Sequence, residues 1–174
     1  PASDDSGITY AFSGYDENGN PTQLEVYQYD PNINPEAPNP NSFVIKYDIR
    51  GLDISDLRKG TEKIFDENGE LVREYSKEPI DIADLPAERI IEKTAYEPGD
   101  GKENILYVLS DYVDGKPGTI SIYDYDLDND GESLDEIREY DTSGLNEKEW
   151  LVEDISRLKK SSLYDGPAGQ EIIQ

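Results

Sequence analysis

Apolar residues along this chain fall into short runs that are separated by polar turn sequences. The clearest runs are ITYAF (8–12), FVIKY (43–47) and ILYVL (105–109). Tyrosine and β-branched residues in such runs are typical of strands with a half-buried face. Asn-Gly and Asp-Gly supply the positive φ angles of tight hairpins, and they occur in DENGN (16–20), DENGE (66–70) and VDGKPG (113–118). The pattern predicts an antiparallel β-meander.

Two other segments have a helical pattern. In NEKEWLVEDISRLKK (146–160), Leu151, Ile155 and Leu158 recur at helical spacing, and basic residues close the last turn. A second candidate is LPAERIIEKTAY (85–96), because proline is allowed in a first helical turn. We therefore expect a mainly β to α+β fold, with one or two short helices packed on the sheet.

Two parts of the chain align with each other. ITYAFSGYDENGNPTQLEVYQYD (8–30) matches ILYVLSDYVDGKPGTISIYDYD (105–126), with a two-residue difference in the turn. The ungapped matches at the start pair Ile8 with Ile105, Tyr10 with Tyr107, Ser13 with Ser110 and Tyr15 with Tyr112. Collinear matches of this kind predict a duplicated unit.

Further matches follow in the same order along the chain. They pair KYDIRGL (46–52) with EYDTSGL (139–145), DISDLRK (53–59) with DISRLKK (154–160), and IFDENGELVR (64–73) with LYDGPAGQEIIQ (163–174). We expect two diverged tandem copies: copy A over 1–104, with its core at 8–96, and a shorter copy B over 105–174. Copy B is expected to end in an unpaired strand at GQEIIQ (169–174), and PNINPEAPNPN (31–41) to be an inserted surface loop.

Charge narrows the range of partners. The chain has 40 Asp and Glu against 16 Lys and Arg, a net charge of −24. This argues against nucleic acid and anionic membrane surfaces, which both need a basic face. It favours cations as partners, either bound in specific Ca²⁺ sites or present as a diffuse cloud of counterions. The alternative is that the acidity only keeps the protein soluble. Cysteine and histidine are absent, and no apolar stretch approaches the roughly 18 residues of a membrane span.

The most distinctive polar segment is DYDLDNDGESLDE (124–136) in copy B. Asp126, Asp128 and Asp130 occupy alternate positions, and Gly131 follows them. Ca²⁺ takes several oxygen ligands, and a glycine lets a tight loop aim alternating carboxylates inward. Over about a dozen residues the segment resembles the D-x-D-x-D-G start of EF-hand, dockerin and integrin-like propeller calcium loops.

The segment departs from an EF-hand at its end. The twelfth position, acidic in EF-hands, is Ile137 here, and strand-like sequence on both sides predicts a hairpin loop instead of helix–loop–helix. The expected ligands are the side chains of Asp126, Asp128 and Asp130, the backbone carbonyl of Glu132 and the closing carboxylate of Asp135, with Asp124 as a possible substitute. The alternative is a solvated acidic hairpin tip.

The corresponding place in copy A also carries oxygen side chains at alternate positions. They are Asp30, Asn32, Asn34 and Glu36. Because fewer charges lower calcium affinity, we interpret this segment as a weaker second site or a decayed one.

Two features suggest the setting of the protein. The hairpins YDENGN (15–20) and FDENGE (65–70) resemble the tyrosine–aspartate repeats of large bacterial surface proteins. The chain also starts at Pro1 and lacks methionine, as a processed or excised product would. Both features favour a secreted or cell-surface protein.

Three functions are consistent with these observations. The first is a non-catalytic structural or interaction protein of a surface layer, fibre, adhesin or matrix, stabilised by Ca²⁺ and able to self-associate through exposed strand edges. The second is a carbohydrate-binding module, in which tyrosines and Trp150 stack on a glycan, although a core position for Trp150 is the simpler interpretation. The third is a glycosidase or lyase that uses a carboxylate pair. No G-x-S-x-G elbow or phosphate-binding glycine loop is present, so we expect a protein that is not an enzyme.

Overall fold

The strands of the described chain form one antiparallel sheet. The computed structural model describes residues 7–29, 41–81, 85–96, 104–125, 133–146, 149–150, 154–165 and 172–173. Within these ranges the sheet has 11 strands. They are β1 (Tyr10–Tyr15), β2 (Pro21–Tyr29), β3 (Asn41–Asp48), β4 (Glu62–Phe65), β5 (Leu71–Ser76), β6 (Ile90–Tyr96), β7 (Ile105–Ser110), β8 (Thr119–Tyr125), β9 (Leu134–Asp141), β10 (Leu158–Asp165) and β11 (Ile172–Ile173).

The strand order across the sheet is β11-β10-β9-β8-β7-β6-β3-β2-β1-β5-β4. Each neighbouring pair is antiparallel. The order departs from a simple meander at one place, where the β4–β5 hairpin lies outside β1 and β6 returns to pair with β3. The prediction of a mainly β, antiparallel fold is confirmed.

Both halves of the sheet bury the same face. In the first half the buried cluster consists of Tyr10, Phe12, Leu24, Val26, Ile45, Tyr47 and Ile49, and in the second half of Leu109, Ile120 and Tyr140. Directly opposed residues share a face in an antiparallel sheet. Ile45 opposes Lys93, Lys93 opposes Leu109, and Leu109 opposes Ile120. The two clusters therefore lie on one face of a continuous sheet.

Two long connections cover the first cluster. Because β3 and β4 run in the same direction, as do β5 and β6, each connection must return across the sheet. Leu52, Ile54 and Leu57 of the first connection, and Ile80 and Leu85 of the second, pack against the buried cluster. The hydroxyl of Tyr10 donates to the carbonyl of Leu57 at 2.8 Å and fastens the first connection down.

The two helix predictions were wrong over the described residues. In 85–96 a three-residue 3-10 turn, Ala87–Arg89, leads directly into β6. In 146–160 a similar turn, Ile155–Arg157, leads into β10, while 147–148 and 151–153 lie outside the described residues. Short apolar runs do not separate helix from strand by spacing alone. Here the edges of β3 and β9 offer backbone hydrogen-bond partners, and pairing with them makes 90–96 and 158–165 strands.

The sequence match between 46–52 and 139–145 coincides with a shared turn. The Asp48 carboxylate accepts from the backbone N–H of Arg50, and the Asp141 carboxylate accepts in the same way from Ser143. Gly51 and Gly144 then adopt φ angles of 78° and 77°. The two matched segments therefore form turns of closely similar geometry.

The later part of the repeat alignment needs correction. Asp53 and Asp154 do make the same local bonds, each to the backbone and hydroxyl of the serine two residues on. However, 53–59 forms turns, whereas 154–160 enters β10, which pairs with β9. Likewise 64–73 belongs to the β4–β5 hairpin, whereas 163–173 covers the end of β10 and β11. In position and pairing, β10 corresponds to β6.

Two smaller expectations concern the chain outside the core. β11 pairs with the end of β10, through Tyr164 and Asp165, so the terminal strand that was expected to be unpaired has a neighbour on one side. The expected surface loop 31–41 lies outside the described residues except for Asn41, the first residue of β3. In the described part of the chain, no helix has the length and apolar character that crossing a membrane requires.

Candidate functional site

The predicted calcium loop falls between two paired strands. Tyr125 of β8 opposes Leu134 of β9, so the flanking strands form the hairpin that the sequence predicts. Asp126, Asp128, Asp130 and Glu132 lie outside the described residues. The structure therefore places the two ends of the loop, and the ligand set stays a prediction.

Two acidic residues at the ends of this loop are described. Asp135 lies in β9 and is exposed. Asp124 is held by Arg138, whose Nε lies 3.1 Å from its carboxylate and whose Nη2 makes a second contact. Because Asp124 is already paired, it is a poor substitute ligand. Within the described ranges, no group of three or more acidic side chains is arranged to hold a metal ion.

The predicted second site falls at the corresponding connection of the first half. Tyr29 of β2 opposes Asn41 of β3, and Asp30, Asn32, Asn34 and Glu36 all lie outside the described residues. β2 and β8 run in the same direction in the sheet, since an even number of antiparallel steps separates them. Both predicted loops therefore begin at the same end of the sheet.

The aspartates of the two DENG hairpins serve their own turns. The Asp16 carboxylate accepts from the backbone N–H groups of Asn18 and Asn20, and Asp66 accepts in the same way from Asn68 and Glu70. These backbone bonds lower the pKa of both carboxyl groups. The shared Y/F-D-E-N-G pattern is thus explained by turn formation, with no ligand required.

A cluster of polar residues around a buried glutamate connects the β4–β5 hairpin to the rest of the fold. Glu74 of β5 is completely buried, and Arg58 reaches its Oε1 with Nη2 at 2.5 Å and Nε at 3.0 Å. Thr61 donates its hydroxyl to Oε2 at 3.0 Å, and Tyr15 donates to Oε1 at 3.3 Å. Together these bonds join β5, the end of β1 and the turn before β4.

The electrostatics of this cluster follow from the pairing. Burial opposes ionisation of Glu74, but the hydrogen bonds from Arg58 and Thr61 outweigh it and lower its pKa. Burial and the neighbouring Glu74 charge raise the pKa of Tyr15. Glu74 is thus a charged, fully bonded anchor. Sequence reasoning missed it, since no local pattern marks one glutamate among 40 acidic residues as buried.

Trp150 packs against the second buried cluster, with Leu158 and Tyr112. Its indole nitrogen is buried, and among the described residues no acceptor lies within hydrogen-bond distance. These contacts favour the core interpretation over stacking on a glycan.

A cleft of about 400 Å³ lies between the β1–β2 turn and residues 49–58. Its charged side chains are already bonded within the protein: Arg50 pairs with Asp48, Arg58 with Glu74, and Asp53 with Ser55. Because these charged groups already have partners, few of them are available to bind a ligand in the cleft.

The sheet edges are a further candidate surface. At one end β4 exposes Phe65. Near the other end, inside β11, β10 exposes Leu163 and the turn before it exposes Ile155. Strand edges carry backbone donors and acceptors that can pair with another strand. The edges thus combine apolar side chains with hydrogen-bonding capacity.

The chain was compared with family models, curated proteins and solved structures. No family model, curated protein or solved structure matches the chain. The choice of site therefore depends on the geometry of the chain alone.

Proposed function

We propose that this chain is a non-catalytic structural or interaction protein whose units join by continuing one β-sheet. The observation that carries the proposal is the pairing of β6 with β7. Four residues of β6, Lys93–Tyr96, oppose residues of β7 and connect the two halves. The two halves of the sheet are thus linked by backbone hydrogen bonds, and the same kind of link can be made between chains.

The setting proposed for this function is the cell surface or the extracellular space. The high negative charge and the hairpins resembling tyrosine–aspartate repeats support it. A protein of this kind would serve in a surface layer, fibre, adhesin or matrix, and would self-associate through its exposed edges.

We further propose that Ca²⁺ binds at the β8–β9 connection and stabilises the sheet end from which this loop starts. The support is the alternation of Asp126, Asp128 and Asp130 before a glycine, between two paired strands. Ca²⁺ would neutralise local charge in a chain with a net charge of −24.

Sedimentation velocity over a wide concentration range, with millimolar Ca²⁺ and with EDTA, tests the assembly. Reversible association that grows with concentration is expected. A strictly monomeric protein at the highest concentration in Ca²⁺ would contradict self-association.

Thermal unfolding tests the calcium site. Binding at a hundred times the dissociation constant should add about 2.7 kcal/mol per site. The gain should disappear in D128N/D130N and persist in E17Q/E67Q, which removes the same charge at the two exposed hairpin tips. Equal shifts with Mg²⁺ or plain salt would show that the acidity is only a solvated surface.

A further inference from the structure

We propose that the outer edge of β1 is an acceptor for an extended strand with the side-chain pattern of β6, and that the β4–β5 hairpin is an autoinhibitory cap on this edge. The inference rests on the proposed function, to which it adds one interface, one kind of partner segment and the contact that blocks it. The two halves of the sheet fill the same edge in two different ways, and this difference carries the proposal.

In the second half, the outer edge of the first strand receives a strand from the other half. That first strand is β7, and the strand that pairs with it is β6. The pairs are Lys93–Leu109, Thr94–Val108 and Ala95–Tyr107. The edge of a first strand is therefore a junction between units in this sheet.

In the first half, β5 takes the same place on β1. The pairs are Glu74–Phe12, Tyr75–Ala11 and Ser76–Tyr10. The sequence alignment matches Tyr10 with Tyr107, so β5 lies on β1 in the register in which β6 lies on β7. Both strands also place a small residue, Ser76 or Ala95, opposite that tyrosine. β5 thus occupies, from within its own half, the position that a strand of another unit takes on β7.

The hairpin belongs to an insertion in the unit that the two halves share. The shared points are the turns at Gly51 and Gly144 and the 3-10 turns Ala87–Arg89 and Ile155–Arg157. In both halves the arginine of the 3-10 turn donates to two carbonyls at the earlier turn. Between these points the first half has residues 52–86, whereas the second half has 145–154. The hairpin lies within the longer connection.

The hairpin is attached by backbone pairing and polar contacts, with little apolar burial. Among the described residues, the side chains that form the first buried cluster or pack against it include none from 62–76. The buried residues of β5 are Glu74 and Ser76, both polar, whereas Phe65 and Val72 are 55% and 45% exposed. Segments with few buried apolar contacts open at a lower free energy than the core does.

Both flanks of the hairpin are fixed to the core, so the hairpin can detach while they stay in place. Leu57 before it and Ile80 after it pack against the first cluster. Gly60, with a φ of 77° and open space around its Cα, lies between Leu57 and β4. Opening therefore exposes the backbone edge of β1, while the two connections still cover the cluster that contains Tyr10 and Phe12.

The occupant that fits the opened edge is an extended segment of a partner chain with the pattern of β6. Aligned antiparallel to β1, it places a lysine opposite Phe12, where Glu74 lies in the closed form. A lysine suits an aromatic neighbour, because Nζ of Lys93 lies 4.4 Å from the centre of the Phe43 ring within β6 and β3. It also brings positive charge to a chain with a net charge of −24. Backbone pairing supplies affinity and these side chains supply selectivity.

A variant without the hairpin tests the acceptor. Because Glu62 opposes Tyr75, the two ends of the hairpin lie side by side, and a Gly-Asn-Gly link can replace residues 62–76. A labelled peptide with the sequence of residues 90–96, IIEKTAY, is the probe. Fluorescence anisotropy should show saturable binding to the variant, at least tenfold weaker binding to the native chain, in which the cap competes, and none for a scrambled peptide.

Changed peptides test the register. Ala95→Lys puts a long charged side chain opposite Tyr10 and should weaken binding at least tenfold. Ile91→Lys is the matched control, since Ile91 is already 37% exposed in β6 and lies beyond the residues that pair with β7, and it should bind like the parent. An unlabelled peptide of residues 71–77, LVREYSK, carries the sequence of β5 and should compete for the same edge. Equal effects of the two lysines would overturn the register.

Hydrogen exchange of the native chain tests the cap without any deletion. The β5 amides that bond to β1 should exchange at least tenfold faster than the amides that join β2 to β3. Equal protection of the two sets would overturn the cap. No binding of the peptide to a variant that is folded by circular dichroism and urea unfolding would overturn the acceptor.

Sedimentation of the native chain and of the variant separates the capped edge from the wider function. If the peptide binds to the variant while both proteins stay monomeric, the capped edge stands and self-association fails. If the native chain self-associates while the folded variant does not bind the peptide, the proposed function stands and the edge of β1 is not its interface.

Discussion

Glu74 is an acidic residue in the interior of a chain whose described acidic residues are mostly at the surface. It is completely buried on the covered side of β5, and five hydrogen bonds from Arg58, Thr61 and Tyr15 satisfy its carboxylate. Removing one partner of a buried pair leaves the other charge uncompensated, which costs more than the pair contributes. Glu74 therefore anchors the β4–β5 hairpin.

We predict that Glu74→Gln lowers the free energy of unfolding by about 3 kcal/mol, because the Arg58 guanidinium loses its counter-charge. Urea unfolding followed by circular dichroism measures the change. Glu67→Gln is the matched control, since Glu67 is exposed at the hairpin tip, and it should change stability by less than about 0.5 kcal/mol. Equal effects of the two substitutions would show that Glu74 is not an anchor.

Asp48 leads to a pH prediction at the same scale. Hydrogen bonds from Arg50 are the largest cause that lowers the pKa of Asp48, from 3.8 to about 2. A carboxyl group whose pKa is lower in the folded state stabilises the protein above its unfolded pKa, and this stabilisation is lost as the pH falls through the folded pKa. The stability difference between the native sequence and Asp48→Asn should thus be largest at pH 7 and narrow between about pH 4 and 2.

Urea unfolding of both proteins at a series of pH values measures this difference. Taking the difference removes the general repulsion among the other carboxylates, which weakens on acidification in both proteins. If the difference in the free energy of unfolding stays constant down to pH 2, the charge of Asp48 does not contribute to stability.

At the scale of elements, two turns of the second half place different demands on a glycine. Gly144 has a φ of +77° and open space around its Cα. Gly118 has no positive φ, but a Cβ there would lie 2.9 Å from the carbonyl oxygen of Asp111. The first position is limited by backbone conformation and the second by contact.

We predict that Gly144→Ala costs about 1 kcal/mol, the usual penalty for a left-handed L-residue, and that Gly144→Asn recovers part of it. Gly118→Ala should also destabilise, but Gly118→Asn should be worse, because a larger side chain increases the clash. Urea midpoints of the four variants check this. If asparagine had the same effect relative to alanine at both positions, either the conformational explanation for Gly144 or the steric explanation for Gly118 would be wrong.

The strand elements also show where sequence patterns stop being decisive. The sequence predicts helices over 85–96 and 146–160, yet the described residues at the ends of both segments form a 3-10 turn followed by a strand. An isolated segment does not contain the edge of β3 or β9, so its own spacing cannot report that pairing. The β4–β5 hairpin was recognised as a hairpin, but its place beside β1 was not.

At the scale of the whole molecule, a net charge of −24 acts against folding. Repulsion among exposed carboxylates weakens as salt shortens the screening length. The Arg58–Glu74 pair is buried on one side and is screened less. Salt should therefore help the fold more than it harms its internal pairs.

We predict that raising NaCl from about 10 mM to about 500 mM increases the melting temperature, because the Debye length falls well below 10 Å. Choline chloride at equal ionic strength should act similarly, since the effect needs no specific cation. Differential scanning calorimetry in EDTA measures both. A fall in melting temperature would show that attractive pairs outweigh the general repulsion.

The strand-forming runs and the DENG turns could be predicted from the sequence because their causes are local. An aspartate that accepts from its own turn, followed by a glycine with positive φ, needs no distant partner. Metal ligands at 126–132 rest on a local pattern too, and they remain a prediction that calcium titration will decide.

Only the tertiary structure decided which strands became neighbours. Arg58 and Glu74 stand 16 residues apart, and Arg89 reaches carbonyls 41 and 39 residues away. The place of β10 likewise depends on pairing with β9, whose sequence lies 17 or more residues earlier in the chain. Sequence by itself determined the hairpin turns and the runs that became β1, β3 and β7, since backbone conformation there has local causes. Strand formation at β6 and β10, strand pairing and burial were decided by the tertiary structure, since they depend on groups that the order of residues does not place together.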